Sequence, residues 1–263
     1  MIKLVATDID GTILIPEGKF TSTVKNCISE LDKRGIKVVL VTGRMKSSAK
    51  IIADELKLSS PIVSYQGGLV TLGENTLYER YLTPKQAEDL ITWAKSENIH
   101  INLYNDDILY SEKDDYEVNR YCSVQHVNHV VKKFSEIEKN KVNKILAIDY
   151  SDAERINRYE KELPKLFPDL YIVKSTPYFL ELSNKEASKY CAVKFLQKHW
   201  NLNDNEILTI GDQNNDIELL RAGGLKIAMG NATEDLKKQA DYITDTVFND
   251  GFVKAIEKFV LFD

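Results

Sequence analysis

Cysteine is scarce: the chain has three in 263 residues, Cys27, Cys122 and Cys191, and no Cys-x-x-Cys pair. That spacing excludes a disulfide framework and offers no zinc-ligand pattern. Cys27 and Cys191 fall in helix-like patterns, where a small apolar role is the default. No stretch approaches the roughly 20 apolar residues that a membrane span needs, so no membrane partner is expected. Nor does the N-terminus carry a charged segment followed by an apolar cleavable one, and the expected location is cytoplasmic. Long basic tracts are missing too. Lys132-Lys133 is an isolated pair read as solvated surface, and the formal net charge is −5, so no nucleic-acid partner is expected. Histidine is sparse: His126 and His129 stand three apart without a third ligand nearby, and His100 and His199 carry no pattern. Trp93 and Trp200 occupy apolar helical positions and read as core.

What remains is an ordinary globular composition, 43% hydrophobic and 29% charged, long enough for one large or two smaller domains. Ile2, Leu4, Val5 and Ala6 read as a short buried strand ended by Gly11. Val24, Cys27, Ile28 and Leu31 recur at helical spacing with a stop at Gly35, and Lys37–Thr42 is a β-branched run. A second helical pattern (Ala49, Ile52, Ala53, Leu56) leads to a third apolar run at Ile62-Val63. Alternating continuous apolar strands and helices are the signature of a parallel sheet with crossover helices.

The pattern changes near Leu69. Leu69–Leu72 and Thr76–Tyr78 flank Gly73-Glu74-Asn75 as a hairpin, and Thr83-Pro84 opens a helix. From there to about Ser183 the text is mixed, with strands expected at Ile99–Tyr104, Lys144–Ile148 and Leu170–Lys174. The parallel pattern then resumes, with a helix over Glu186–Trp200, a strand at Ile207–Ile210, a helix over Asp216–Ala222 and a strand at Lys226–Met229. The expectation is an α/β fold: a Rossmann-like parallel-sheet core in two parts, residues 1–82 and 185–263, interrupted by a smaller α/β domain over 83–184.

The chemistry concentrates at strand ends. Asp8 and Asp10 are two apart, so both leave the first strand on the same side. Two close carboxylates repel and resist desolvation, which points to a divalent metal, acid–base work, or both. Thr42 ends the second run, Gly211-Asp212-Gln213-Asn214-Asn215-Asp216 follows a later strand, and Lys189 lies in the helix before it. Ligands of a parallel sheet sit at such carboxyl ends. Asp8, Asp10, Asp212 and Asp216 together are too anionic to hold a phosphate unaided, and a hard cation with oxygen ligands, Mg²⁺, would resolve that. Taken singly, Thr42 reads as a strand end, Lys189 as a solvated lysine, and Asp212 and Asn215 as a turn and a cap.

Jointly and in this order, Asp8-x-Asp10-Gly11-Thr12, Thr42, Lys189 and Gly211-Asp212-x-x-Asn215-Asp216 resemble the four motifs of the haloacid-dehalogenase-like phosphatases. Val41-Thr42-Gly43-Arg44, an insertion of about a hundred residues, Ala228–Ala232 and Asp250-Gly251-Phe252 are similar to the Cof-type sugar-phosphatase branch. The resemblance implies a Mg²⁺-dependent phosphatase of small phosphorylated metabolites, with residues 83–184 as its cap. It implies Asp8 as nucleophile forming an aspartyl-phosphate and Asp10 as general acid and base. Metal ligands would be Asp8, the Asp10 carbonyl and Asp212. Thr42, Gly43, Lys189 and Asn215 would serve the phosphate, with Thr12, Arg44 and Asp216 behind them. Arg44 is open between meeting substrate and pairing with a carboxylate. A phosphomutase or phosphotransferase using the same aspartyl-phosphate, or a non-catalytic phospholigand-binding protein, are the alternatives. The chain departs from the family pattern at Gln66-Gly67, where Asn-Gly is usual, and at Glu186 and Tyr190, where Gly is.

Overall fold

The computed structural model describes residues 1–16 and 18–262, which form two sheets. The first sheet is entered through β1 (Leu4–Thr7), β2 (Lys37–Val41), β3 (Ile62–Ser64), β4 (Leu69–Leu72) and β5 (Asn75–Glu79). The second comprises β6 (His100–Asn105), β7 (Ile108–Ser111), β8 (Val130–Val131), β9 (Val142–Ile148), β10 (Leu170–Thr176) and β11 (Phe179–Asn184). The chain then returns to the first through β12 (Ile207–Gly211), β13 (Leu225–Ala228) and β14 (Tyr242–Ile243).

The first sheet runs β14-β13-β12-β1-β2-β3-β4-β5, parallel as far as β3 and antiparallel at its last two strands. β1 is central, between β2 and β12, and its four residues are fully buried. This placement follows from an apolar run with no polar alternation, which only a strand covered on both faces can bury. Helices α1 (Ser22–Lys33) and α2 (Lys46–Glu55) cross over between the first strands. Val24, Cys27, Ile28 and Leu31 form the buried face of α1, as their spacing predicts, and the helix stops before Gly35, whose φ is +72°.

The second sheet runs β10-β11-β9-β6-β7-β8. Helix α3 (Pro84–Ser96) begins in a reciprocal cap between Thr83 and Gln86, with proline at its first position. Helix α4 (Tyr116–Gln125) lies across the opposite face from α3 and α5 (Ala153–Leu166). Ile101, Leu103, Ile145, Ala147, Leu180 and Leu182 pack under α3 and α5, while Tyr104, Leu146 and Ile148 meet Met45 and Tyr65 of the first part. The second sheet is thus apolar under α3 and α5, while its other face combines these apolar residues with buried polar ones, Asn102, Lys144 and Glu181 among them. β6, β9 and β10 overlap the three expected strands, whereas β7, β8 and β11 were not expected: they are short or carry polar residues whose partners come from elsewhere.

The helix expected from Glu186 starts later. Helix α6 spans Lys189–His199, because Ser188 caps it by accepting from the Cys191 amide at 3.2 Å. Lys189 is therefore its first residue. Asp216 belongs to a 3₁₀ turn, Asn214–Asp216, that leads into α7 (Ile217–Ala222). Trp93 and Trp200 are half-buried against the hydrophobic clusters. Among the described residues, no helix is long and apolar enough to cross a membrane.

Candidate active site

Asp8 follows β1 directly, its amide donating to the Ile210 carbonyl of β12 at 3.0 Å. Its carboxylate is buried and accepts from Lys189 Nζ at 2.7 Å, and the same ammonium donates to Asp216 Oδ1 at 2.5 Å. The other Asp216 oxygen accepts from the amides of Asp212 and Gln213 at 3.0 and 3.1 Å. Asp216 is thereby saturated and holds the Asp212 loop in place. Asp212 accepts from Thr12 Oγ1 at 3.1 Å and Gln213 Nε2 at 2.9 Å. Gly11 permits this approach: at φ +77°, a Cβ there would sit 2.5 Å from Asp212 Oδ2.

Oxygens of Asp8, Asp212 and Asp216 lie within 4.8 Å of one another. One ammonium faces three buried carboxylates. Burial, then the Asp216 charge, holds Asp8 well above the ordinary carboxylate range, with Lys189 opposing. The same two causes push Asp212 up to about 7. Burial alone would lower the Lys189 ammonium, but Asp216 and Asp8 outweigh it and hold it above its usual value. The repulsion expected between Asp8 and Asp10 contributes less than that from Asp216 and Asp212. Asp10 instead reaches outward, its side chain half exposed, into a bidentate pair with Arg44 at 2.6 and 2.8 Å. Arg44 thus pairs with a carboxylate, and Ser48 accepts its remaining arm at 3.1 Å.

Thr42 follows β2 directly, its amide on the Val63 carbonyl at 2.9 Å and its hydroxyl accepting from the Arg44 amide at 3.1 Å. Asp8, Asp10, Thr42, Gly43, Asp212 and Asn215 line one cavity of about 530 Å³ between the two sheets. Lys189, Asp216 and Thr12 lie behind that surface, fully buried. Asn231, within one of the late motifs, donates to the Gly11 carbonyl at 2.9 Å and tethers the loop after Asp10.

The opposite wall was missed by sequence reasoning. Lys144 of β9 and Glu181 of β11 form a buried pair at 2.7 Å, and Lys144 also donates to the Gly43 carbonyl at 2.8 Å. Ser175 donates to the other Glu181 oxygen at 2.8 Å. The available signal was a lysine inside an otherwise buried strand, Val142–Ile148, but its partner is 37 residues away. The mouth of the cavity is apolar, with Ile15, Pro16, Val124 and Phe248 at its rim.

Four carboxylates, a threonine and a buried lysine gathered at the carboxyl edge of a parallel sheet fit a phosphoryl-transfer class of site. The chain belongs to the haloacid dehalogenase-like hydrolase family, whose model matches residues 5–256. It stands among phosphatases. A putative phosphatase of Streptococcus pyogenes serotype M6 is 30% identical over 269 residues, covering 99% of both chains. A Bacillus subtilis protein named as a 5-amino-6-(5-phospho-D-ribitylamino)uracil phosphatase is 30% identical over 261 residues, covering 99% of this chain and 96% of its own. The crystal structure of a haloacid dehalogenase-like hydrolase from Bacteroides thetaiotaomicron superposes with a TM-score of 0.85 at 28% identity, over 98% of this chain and 99% of that one.

Proposed function

We propose that this enzyme hydrolyses small-molecule phosphomonoesters through an aspartyl-phosphate on Asp8. The observation that carries the reading is Asp8 itself: a buried carboxylate on the cavity wall, aimed by Lys189 and backed by Asp212 and Asp216. Asp8 attacks phosphorus; the P–O bond to the leaving group breaks, and Asp10 supplies the proton that the departing oxygen takes. Asp10 then removes a proton from the attacking water, which splits the acyl phosphate and returns Asp8. Both Asp10 oxygens accept from the Arg44 fork, so one arm of the fork opens when Asp10 carries the proton, while the other keeps it oriented. The Thr42 hydroxyl and the Gly43 amide receive phosphoryl oxygens, Asn215 supports them, and Lys189 adds its charge from behind Asp8.

The donor set fits a hard divalent cation. Hard oxygen ligands, a carboxylate cluster that one ammonium compensates only in part and an Asp212 carboxyl held up to about 7 by burial and a neighbouring carboxylate favour a cation there. Asp8, Asp212 and the Asp10 carbonyl are the proposed Mg²⁺ ligands, with Asp216 and Thr12 fixing Asp212. Bound there, Mg²⁺ would neutralise charge on the phosphoryl group.

We assign residues 1–82 and 185–263 to the catalytic core and 83–184 to a cap that covers the site and meets the leaving group. Lys144, Glu181 and Ser175 suit hydroxyls near the phosphate, and the apolar rim suits a less polar far end. The relative's phosphorylated ribitylaminouracil has that order of groups and belongs in the substrate panel. The test is phosphate release from a panel of sugar phosphates and nucleobase- or ring-bearing monoesters with Mg²⁺, beside an Asp8→Asn variant. Release by the wild type and none by the variant is expected. Unchanged hydrolysis by the variant refutes the nucleophile.

A further inference from the structure

β3 ends in a turn with an uncommon backbone. Tyr65 and Gln66 adopt φ of 52° and 59°, followed by Gly67 at 104°. Two successive non-glycine residues in the left-handed region persist only where their surroundings over-determine them, and such strain concentrates at functional sites. Here the surroundings are explicit. The Gln66 amide donates to the Thr42 carbonyl at 3.0 Å and the Tyr65 amide to the Arg44 carbonyl at 2.9 Å. The Tyr65 hydroxyl donates to Asp107 at 2.5 Å, and Gly67 packs so closely that a Cβ would sit 2.1 Å from the Ser188 carbonyl oxygen. The turn therefore bridges the loop of Thr42 to the start of the helix that carries Lys189.

What this turn displays is the Gln66 side chain, which lines the cavity although the residue is 1% exposed. Its Oε1 accepts from Asn215 Nδ2 at 3.2 Å. Its Nε2 has no partner among the described residues. A buried N–H left unpaired is costly, and an acceptor arriving from outside relieves that cost. The nitrogen lies beneath Gly43, 2.5 Å from where a Cβ on that residue would stand, beside the proposed phosphoryl ligands.

We propose that Gln66 is a further substrate-contacting residue, its Nε2 donating a hydrogen bond to a non-bridging phosphoryl oxygen. This rests on the proposed phosphatase reading. Asn215 then acts on the phosphate partly through Gln66, holding the amide with its donor turned to the cavity. The contact involves only the transferred group, so its loss is independent of the leaving group.

Two variants test this. Gln66→Met keeps the length of the side chain and removes the donor; Gln66→Glu keeps the oxygen that Asn215 bonds and replaces the donor with a charge. Each is assayed for competitive inhibition by inorganic phosphate and for kcat/KM on two monoesters with unlike leaving groups, with Tm as the control for folding. Gln66→Met is expected to raise the phosphate Ki about tenfold and lower kcat/KM by a similar factor on both esters, the size of a lost hydrogen bond to a charged group. Gln66→Glu should do so more strongly, through repulsion of the dianion. Unchanged phosphate inhibition in folded variants overturns the proposal, and so does a loss confined to one ester. Failure of the wild type to release phosphate from any ester would instead sink the phosphatase reading.

Discussion

Lys189→Met probes the electrostatic design of the site most directly. Lys189 is fully buried and is the ammonium at 2.7 Å from Asp8 and 2.5 Å from Asp216. Methionine fills a similar volume but leaves those carboxylates facing each other and Asp212 with no cation. Breaking a buried ion pair by removing one partner costs about 3–5 kcal/mol, or roughly 6–20 °C in Tm for a protein of this size. The penalty depends on pH with a definite sign. Asp8 and Asp212 already titrate above their unfolded values, and losing the cation raises them further. A carboxyl whose folded pKa is raised binds more protons folded than unfolded, so stability falls as pH climbs from the unfolded value through the folded one. The gap between variant and wild type should therefore be small near pH 5 and larger near pH 8, still widening as pH rises, measured without divalent metal by thermal denaturation. A gap that is equal at both pH values, or less than about 1 kcal/mol at pH 8, would refute the argument that this lysine compensates buried negative charge.

The other expected outcomes concern the metal, the cap wall and the turn. Because Asp212 titrates at about 7, Mg²⁺ should raise the wild-type Tm little at pH 5 and by roughly 5–10 °C at pH 8 when present at about a hundredfold its Kd; a pH-independent shift in a thermal scan would contradict that placement. Glu181→Ala leaves the Lys144 ammonium buried with only the Gly43 carbonyl and a ring face, and should cost about 3–5 kcal/mol in urea unfolding, whereas Lys144→Met with Glu181→Leu should recover most of it. Gly67→Ala meets the Ser188 carbonyl at a left-handed φ and should cost about 2–4 kcal/mol, read as a lowered urea midpoint; a neutral result would show that the turn and the Lys189 helix can separate.

Much of the architecture is local information. Continuous apolar runs announced β1, β2, β3, β12 and β13, and helical spacing announced the helices between them, because a strand buried on both faces and an amphipathic helix each need a distinctive pattern. The aspartates proposed for catalysis were legible as strand-end residues for a similar reason: they follow on strands, where chain direction alone delivers them to one edge of the sheet. The short strands β7 and β8 were not legible, since their pairing depends on neighbours rather than on their own residues.

The sequence by itself determined which residues stand at the carboxyl ends of the strands, and so the inventory of carboxylates, hydroxyl and ammonium. Only the tertiary structure decided how those charges pair. Lys189 lies 181 residues from Asp8 in the chain yet touches it, and Arg44 takes Asp10 from 34 residues away. Lys144 met Glu181 across two strands, and Asn215 engaged the Gln66 oxygen while the Gln66 nitrogen has no partner among the described residues. Ion pairing and desolvation act over a few ångströms in space, whatever the separation along the chain. Those distances are set by how strands and helices pack within each sheet's layer, which no local pattern encodes.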